Sequence, residues 1–329
     1  MTEAMMTSEA GAASKPVLRG TDPGGFHCCW FPIAMSVEVP AGQAISKEFL
    51  NGRVVVWRGE DGIAHVQSAF CRHLGADLAV GRVIGNRIRC IFHHWEYDGS
   101  GRCAKIPAQS TIPAAAQLFD FPTQEKWGLI WAFNGEVPLY ELPHFPTLGE
   151  DQVAHRVFEC APLPVPPWVI VGNTHDFQHV KAVHNAIMEK EPEDFDIDGL
   201  TIEFHNEVID PNFGPSKQHF RLFGTNTVAF ENRFGPMTIM SLYSATPING
   251  GKTKGYTVTA TPRIPGLDLE AILDRGEEFG RNIMAEDDAL LYSIRFKVDL
   301  PIAADRHLIR WIRRAERFPS GNPAEALIS

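Results

Sequence analysis

The chain has 329 residues, of which 44% are hydrophobic and 21% charged, and its formal net charge is −10 at pH 7. This composition is ordinary for a globular protein of one large or two smaller domains with a sizeable core. The acidic balance argues against a nucleic-acid-binding protein, because such proteins bind phosphate through basic patches.

The N-terminus is rich in Ala, Ser, Gly and Thr, and we predict that residues 1–25 are mobile. These residues contain no basic stretch followed by an apolar one, so we expect no secretory signal. The chain has no run of about 18 apolar residues, so we expect no membrane span. A cytoplasmic protein is therefore the expectation.

Residues 26–135 are predicted to form an all-β domain. Its strands are short, β-branched or aromatic, and Gly, Asp and Asn separate them: GRVVVWRG, GIAHVQSAF, NRIRCIF and WGLIWAFNG. Short strands with frequent turns are typical of a small sandwich or barrel.

Two pairs of Cys and His lie at predicted strand ends: Cys71-x-His73 and, after sixteen residues, Cys90-x-x-His93. Two facing loops would each offer one thiolate and one imidazole. Zinc accepts two Cys and two His in a tetrahedron, whereas one type of [2Fe-2S] cluster takes two Cys on one iron and two His on the other. Zinc sites usually use a short spacing between like ligands. The mixed pairs therefore favour the cluster over zinc and over four unrelated core residues.

A second histidine, His94, follows the motif directly. In an extended segment its side chain points away from the face that carries His93. His93 has the Cys-x-x-His spacing and is the predicted ligand, while His94 is interpreted as a partly exposed loop residue. Trp95 is predicted to pack over the cluster, with ordinary core packing as the alternative.

The stretch CRHLGADLAVGRVIGNRIRCIFHHWEYDGSGRC resembles the Rieske domain of the ring-hydroxylating non-haem iron oxygenases. The sequence of this stretch is most similar to the 3-ketosteroid 9-alpha-hydroxylase branch of that family. The resemblance covers roughly residues 26–317. It implies that the Rieske [2Fe-2S] cluster is held by Cys71, His73, Cys90 and His93.

A stretch rich in Pro and Gly, residues 135–156, marks a predicted domain boundary, and we place the second domain at residues 136–329. The segments GLTIEFHNEVI, QHFRLFGTNTVAF, MTIMSLYSATPI and KGYTVTATPRI are predicted antiparallel strands, and LEAILDRGEEFGRNIMAEDDALLYSIRF has helical spacing. The predicted fold class is α+β: an N-terminal all-β Rieske domain, then a catalytic domain whose antiparallel sheet is covered by helices, as in helix-grip folds.

The segment NTHDFQHVKAVHN contains Asn173, Asp176, His179 and His184. The two histidines are five residues apart, about 140° of rotation on a regular helix. Both reach one metal only if the helix is locally widened or ends there. Two imidazoles and one carboxylate form the facial triad of non-haem Fe(II) oxygenases. A polar helix with surface histidines is the alternative.

The carboxylate of such a triad must come from elsewhere, and MAEDDALLYSIRF offers Glu286, Asp287 and Asp288. A solvent-exposed acidic helix face is the commoner role of such a run. The family has an acidic pair before an apolar helix near its C-terminus. The resemblance therefore implies that Asp287 is the third iron ligand, ahead of Asp288 and then Glu286.

The resemblance also implies a homotrimer, in which the cluster of one subunit faces the mononuclear iron of its neighbour. Asp176 matches the aspartate that would bridge a cluster histidine and either His179 or His184. A carboxylate on a ligand imidazole orients the ring and raises its basicity. Asn173, one turn before Asp176, is predicted to help position O₂ or this bridge.

No nucleotide-binding Gly-x-Gly-x-x-Gly motif follows a strand, so we expect electrons from a separate ferredoxin or NAD(P)H-dependent reductase. Apolar strands such as VAFENRFGPMTIMSLY suit a bulky apolar ring substrate, steroid-like or aromatic. Hydroxylation is favoured; cis-dihydroxylation, O-demethylation and desaturation are the alternatives on the same iron. A Rieske electron carrier and a zinc-binding structural protein are the alternatives from other classes.

Overall fold

The structure is a computed structural model that describes residues 25–192, 195–210, 214–235, 237–296, 298 and 300–329. Apart from Gly25, the predicted mobile N-terminus lies outside the described residues. The described part of the chain is mainly antiparallel sheet, with five α-helices. None of these helices is both long and apolar enough to cross a membrane.

Twelve short strands make up the first part of the described chain: β1 (Phe26–His27), β2 (Trp30–Met35), β3 (Ala44–Phe49), β4 (Gly52–Arg58), β5 (Ala64–Ser68), β6 (Arg82–Ile84), β7 (Arg87–Arg89), β8 (Glu96–Asp98), β9 (Cys103–Lys105), β10 (Asp120–Phe121), β11 (Thr123–Lys126) and β12 (Leu129–Phe133). One antiparallel sheet has the order β10-β5-β4-β3 and a second the order β11-β12-β2. The inward side chains of both sheets share one apolar core.

A third, smaller sheet has the order β6-β7-β8-β9 and carries the predicted cluster region. Its own core contains Leu78, Ile88 and Tyr97, and it packs against Trp57 of β4. The loop at residues 90–95 connects β7 to β8, and the loop at residues 71–76 follows β5. The two loops are thus held by separate sheets that share a packed interface.

The second part of the chain is built on one six-stranded antiparallel sheet of order β13-β18-β17-β16-β15-β14. Its strands are β13 (Val153–Glu159), β14 (Thr201–Asp210), β15 (Gly214–Phe223), β16 (Thr227–Phe234), β17 (Met237–Ile248) and β18 (Lys252–Pro262). The helices are α1 (Pro167–Gly172), α2 (Phe177–Ala182), α3 (Leu269–Ser293) and α4 (Arg306–Arg317). Helix α3 packs on β13, β17 and β18. The predicted α+β class is confirmed.

Helix α3 approaches the sheet most closely at Gly276. A Cβ atom at this position would stand 2.5 Å from Cγ2 of Thr259 and 3.2 Å from Cγ2 of Ile239. Both neighbours are buried, β-branched residues with little rotamer freedom. The absence of a side chain at Gly276 therefore sets how deeply the helix that carries Asp287 lies against the sheet.

Helix α4 holds the segment that leads to the predicted iron histidines. Trp311 is fully buried, and its indole N–H donates to the carbonyl oxygen of Trp168 in α1 at 2.9 Å. A Cβ atom at Gly172 would stand 3.0 Å from that indole nitrogen. One turn further on, the guanidinium of Arg314 is buried and donates to the carbonyl oxygen of Gly224 at 2.7 Å. The Trp311 contacts fix the position of α1, and the Arg314 contact ties α4 to the turn between β15 and β16.

The last residues of the chain return to the first strands. Strand β19 (Ser320–Gly321) pairs with β1, and the side-chain amide of Asn134 donates to the carbonyl oxygen of Gly321 at 2.9 Å. Helix α5 (Glu325–Ile328) packs on β4. The side chains that join the core of the first two sheets are Phe318, Ala324 and Ile328. The boundary between residues 135 and 136 stays a prediction. The C-terminal residues, which follow this boundary in the sequence, pack with the strands that precede it.

Candidate functional site

The predicted cluster residues meet at the tips of two facing loops. Cys71 and Cys90 are 4% and 1% exposed, whereas His73 and His93 are exposed. The two imidazole rings lie with their centroids 4.6 Å apart. Each loop therefore directs one thiol inward and one imidazole outward.

Two residues with a left-handed backbone conformation shape these loops. Gly75 has φ of +74°, and its N–H donates to the carbonyl oxygen of Cys71 at 2.9 Å. His94 has φ of +59°, a region that non-glycine residues seldom occupy, and its side chain is exposed. The N–H of Cys90 donates to the carbonyl oxygen of Trp95 at 2.9 Å and closes the turn. His94 thus forms the turn, while His93 faces the other loop.

Aromatic side chains support the thiol and the imidazole of the first loop. The ring of Trp95 stacks on that of His73 at 4.8 Å with an interplanar angle of 3°. The hydroxyl of Tyr97 lies 3.2 Å from Sγ of Cys71 and accepts the N–H of Arg72 at 3.0 Å. Burial and the Cys71 thiol raise the pKa of Tyr97, so its hydroxyl stays neutral and can donate to a Cys71 thiolate. The sequence alone gave no sign of this contact.

The donor set fits a [2Fe-2S] cluster with mixed ligands. Burial raises the pKa of the Cys71 thiol, and the neighbouring Cys90 thiol raises it further. Two adjacent buried thiolates are stable only with positive charge between them. The two exposed imidazoles would supply the remaining pair of ligands that a Rieske cluster requires.

The second motif lies on a broken helix. Helix α1 ends at Gly172, a turn of 3₁₀ helix covers Asn173–His175, and α2 begins at Phe177. Helix α2 ends at Ala182, two residues before His184. Of the two geometries that the five-residue spacing allowed, the structure has the one in which the helix ends. The chain after this end brings His184 back beside His179.

His179, His184 and Asp287 converge on one point. The Nε2 atoms of the two histidines are 3.1 Å apart. Oδ1 of Asp287 lies 3.0 Å from Nε2 of His179 and 3.4 Å from Nε2 of His184, without the geometry of a hydrogen bond to either. Three electron-pair donors can lie this close when they share a proton or a metal ion. The set fits Fe(II), which two imidazoles and one carboxylate hold in non-haem oxygenases.

The residues around this triad orient two of its members. Nδ1 of His184 donates to Oε2 of Glu286 at 2.6 Å, which leaves Nε2 of that ring free to bind a metal. The side-chain amide of Asn173 donates to Oδ2 of Asp287 at 3.2 Å, which turns Oδ1 toward the histidines. Asp288 is half-buried outside the triad, where burial and then Asp287 raise its pKa. Of the three acidic candidates, Asp287 is therefore the one beside both histidines.

Asp176 sits at the break between α1 and α2. Its Oδ1 accepts the backbone N–H of His179 at 3.0 Å, and it thereby caps α2. The carboxylate is half-buried. Within one chain this contact fixes the backbone of an iron-ligand candidate, and the predicted bridge to a second subunit stays a prediction.

His175, which the sequence left without a role, belongs to the core. It is 1% exposed and stacks on Trp311 with centroids 4.7 Å apart. Burial, assisted by the nearby Arg314, lowers the pKa of His175 to about 3, so the ring is neutral at physiological pH. Its ring contacts with Trp311, Phe195 and Phe204 make it a packing residue.

A second group with metal-ligand chemistry, Glu203, His205 and His219, lies on the outer face of β14 and β15. The guanidinium of Arg221 already pairs with Glu203 at 2.6 Å, and Nε2 of His219 bonds the other carboxylate oxygen at 2.6 Å. The side chains of Glu203 and His205 are exposed. We interpret the group as a surface ion-pair network.

Comparisons with known proteins find a matching domain and several relatives. The model of the Rieske [2Fe-2S] domain matches residues 29–121. Aminopyrrolnitrin oxygenase PrnD of Pseudomonas fluorescens is 28% identical over 256 residues, covering 65% of this chain and 69% of the relative. A probable 3-ketosteroid-9-alpha-monooxygenase oxygenase component of Rhodococcus rhodochrous is 35% identical over 136 residues, covering 40% of this chain and 34% of the relative. The chain spans about a third of the length of several curated relatives that it matches.

The structural comparison extends over nearly the whole chain. NdmA of Pseudomonas putida CBB5, solved with caffeine, superposes with a TM-score of 0.71 at 22% identity, covering 91% of this chain and 94% of that one. At this identity the likeness establishes the fold. The Rieske match covers the two cysteine–histidine loops, and the superposition covers the domain that carries the His/His/Asp triad. The chain therefore contains a Rieske [2Fe-2S] domain and has the fold of the Rieske oxygenases.

Proposed function

We propose that this protein is the terminal oxygenase component of a Rieske system, which uses O₂ and externally supplied electrons to hydroxylate a ring substrate. The observation that carries this proposal is the convergence of His179, His184 and Asp287 beside a cavity of about 200 Å³. A pure electron carrier needs no such triad. A zinc-binding structural protein needs neither the second set of ligands nor the cavity.

The chain's own residues prepare the site for this chemistry. When bound, the cluster and the mononuclear iron supply electron transfer and O₂ activation. His179, His184 and Asp287 would hold the iron, while Asn173 and Glu286 orient the ligand atoms through the 3.2 Å and 2.6 Å hydrogen bonds described above. The buried wall of the cavity excludes water and holds the substrate ring beside the triad.

We further propose that the active assembly is a homotrimer in which the cluster loops of one subunit face helix α2 of the next. Three large apolar side chains flank the exposed cluster histidines: Leu74, Ile91 and Phe92, which are 65%, 57% and 59% exposed. A patch of this kind is typical of a protein contact surface. Asp176, half-buried at the start of α2, would form the bridge across this contact.

The partners and the reaction follow from the same reasoning. A separate ferredoxin or NAD(P)H-dependent reductase would supply the electrons, and a cytoplasmic location stays a prediction from the sequence. The names of relatives mention 3-ketosteroid 9-alpha-monooxygenation, and the NdmA structure contains caffeine. These names support an apolar ring substrate, steroid-like or aromatic. Hydroxylation is favoured, with demethylation, cis-dihydroxylation or desaturation as alternatives on the same iron.

The test is the iron and acid-labile sulfide content of the purified protein, together with its visible spectrum. We expect about three irons and two sulfides per chain. Asp287→Asn is expected to remove about one iron and leave the cluster spectrum unchanged. The neighbouring Asp288→Asn serves as the matched control and keeps the full iron content. Zinc without sulfide would overturn the proposal, and so would a wild-type protein that takes up no third iron from added Fe(II).

A further inference from the structure

The cavity beside the triad has a floor made of in-register rows of side chains from the six-stranded sheet. One row crosses three strands and consists of carboxamides: Asn206, Gln218 and Asn232, each directly opposite the next. All three line the cavity. The amide of Asn206 donates to Oε1 of Gln218 at 3.4 Å. A row of three neutral amides on the inner face of a sheet is unusual, because inner faces are normally apolar.

The adjacent row is aromatic. Phe204, Phe220 and Phe230 are direct cross-strand neighbours. The rings of Phe204 and Phe220 stack at 4.8 Å and 6°, and those of Phe220 and Phe230 at 5.3 Å and 26°. Phe220 and Phe230 line the cavity. A flat ring that packs on this row would bring its edge to the amide row.

Several polar groups at this floor have no hydrogen-bond partner among the described residues. They are Oδ1 and Nδ2 of Asn232, Oγ of Ser241 and the hydroxyl of Tyr243. Asn232 is 0% exposed, so water does not satisfy its amide from outside the protein. Buried polar groups are normally paired, and groups left unpaired at a cavity wall are typical of a site that a ligand completes.

The charges around the cavity indicate what kind of ligand fits. Among the described residues that line it, none is Lys or Arg, and the carboxylates are Asp287 of the triad and Asp210. Apart from the iron that the triad would hold, a substrate carboxylate buried on the amide and aromatic rows would have no cationic partner, which is costly. The site therefore suits a neutral molecule.

The volume of the cavity limits the size of the ligand. At about 200 Å³ the cavity lies below the range of about 300–1,000 Å³ that is typical of pockets for drug-sized ligands. One or two fused rings match this space better than the four rings of a steroid.

We infer that the substrate is a neutral compound of one or two rings that carries a carbonyl or hydroxyl group in the ring plane, and that Asn232 and Ser241 recognise this group. A carboxamide offers both a donor and an acceptor, so it pairs with a ring ketone, a lactam or a phenol. The inference rests on the proposed function of the same cavity and names the chemistry of its ligand.

The experiment is equilibrium binding to the full-length, iron-loaded protein without reductant, by calorimetry. Four probes are compared: 1-indanone, indane, indane-1-carboxylate and progesterone. We expect 1-indanone to bind at least about tenfold more tightly than each of the others, because the other probes leave the buried polar groups unpaired, add a charge or exceed the volume. The reversed order, equal binding of all four probes, or no binding of any probe would overturn the inference.

Variants identify the residue responsible. Asn232→Leu conserves volume, and we expect it to weaken the binding of 1-indanone by about tenfold or more while that of indane improves. Ser241→Ala is expected to weaken the binding of 1-indanone to a smaller extent. Asn249→Leu, on an exposed turn, is the matched control and should change the binding of neither 1-indanone nor indane. Unchanged discrimination in Asn232→Leu would refute the assignment. Because binding is read without turnover, this outcome is separable from the iron and sulfide content that tests the proposed function.

Discussion

The hydrogen bond between Glu286 and His184 leads to a quantitative prediction about iron affinity. Oε2 of Glu286 lies 2.6 Å from Nδ1 of His184 and fixes the tautomer whose Nε2 faces the triad. Loss of such a carboxylate partner typically weakens metal binding by about tenfold to a hundredfold. The side chain of Glu286 is 45% exposed, so water screens the contact and we expect about tenfold for Glu286→Leu.

The assay is competition for Fe(II) with a chelator, with the cluster absorbance as an internal measure of folded protein. Glu286→Gln retains an acceptor oxygen and is expected to recover most of the affinity. Glu278→Leu, on the exposed face of the same helix, controls for the loss of an acidic residue. If Glu286→Leu and Glu278→Leu bind Fe(II) as wild type does, Glu286 does not orient the ligand and the reasoning is wrong.

Three further predictions concern stability and the cluster. Burial, and then the charge of Arg314, lowers the pKa of His27 to about 4. Between pH 6.5 and 4 the unfolded state therefore binds a proton that the folded state does not, and about 3 kcal/mol of folding stability is lost as pH falls through this window. Melting curves recorded across this pH range should show a smaller loss for His27→Gln. Gly276→Val should destabilise by about 1–3 kcal/mol in denaturant titration, whereas Gly280→Ala on the same helix, whose Cβ meets its nearest neighbour at 3.9 Å, should be neutral or stabilising. Tyr97→Phe removes a donor to the cluster sulfur and should lower the reduction potential in a redox titration; an unchanged potential would contradict the contact at 3.2 Å.

Much of the candidate site could be predicted because its ligands lie in short, local patterns. The cluster loops combine a strand end, a turn residue and a fixed Cys-to-His spacing, and all three are properties of neighbouring residues. The choice of His93 over His94 also followed from local geometry, although the structure shows a left-handed turn at His94 in place of the expected extended strand. The end of α2 at Ala182, before His184, was one of two solutions that the spacing allowed.

The partners of the ligands could not be predicted because they lie far away along the chain. Asn173 and Asp287 are separated by 114 positions, and only the packing of α3 against the sheet brings them together. The row of carboxamides on the cavity floor could not be predicted for a related reason. Asn206 and Asn232 each have polar neighbours on both sides in the sequence, so no local contrast in polarity marks them as inward-facing. The register across three strands decides that the amides lie side by side, and the sequence of one strand does not fix that register.

The return of the C-terminal residues to the first sheets has a consequence for the order of synthesis. Phe318, Ala324 and Ile328 complete a core whose other members come mainly from strands β2–β5, β10 and β12. A ribosome therefore delivers the start of this domain first and its final side chains last, after the whole six-stranded sheet. The core of the first two sheets therefore reaches its full packing only after residues up to Ile328 have been synthesised.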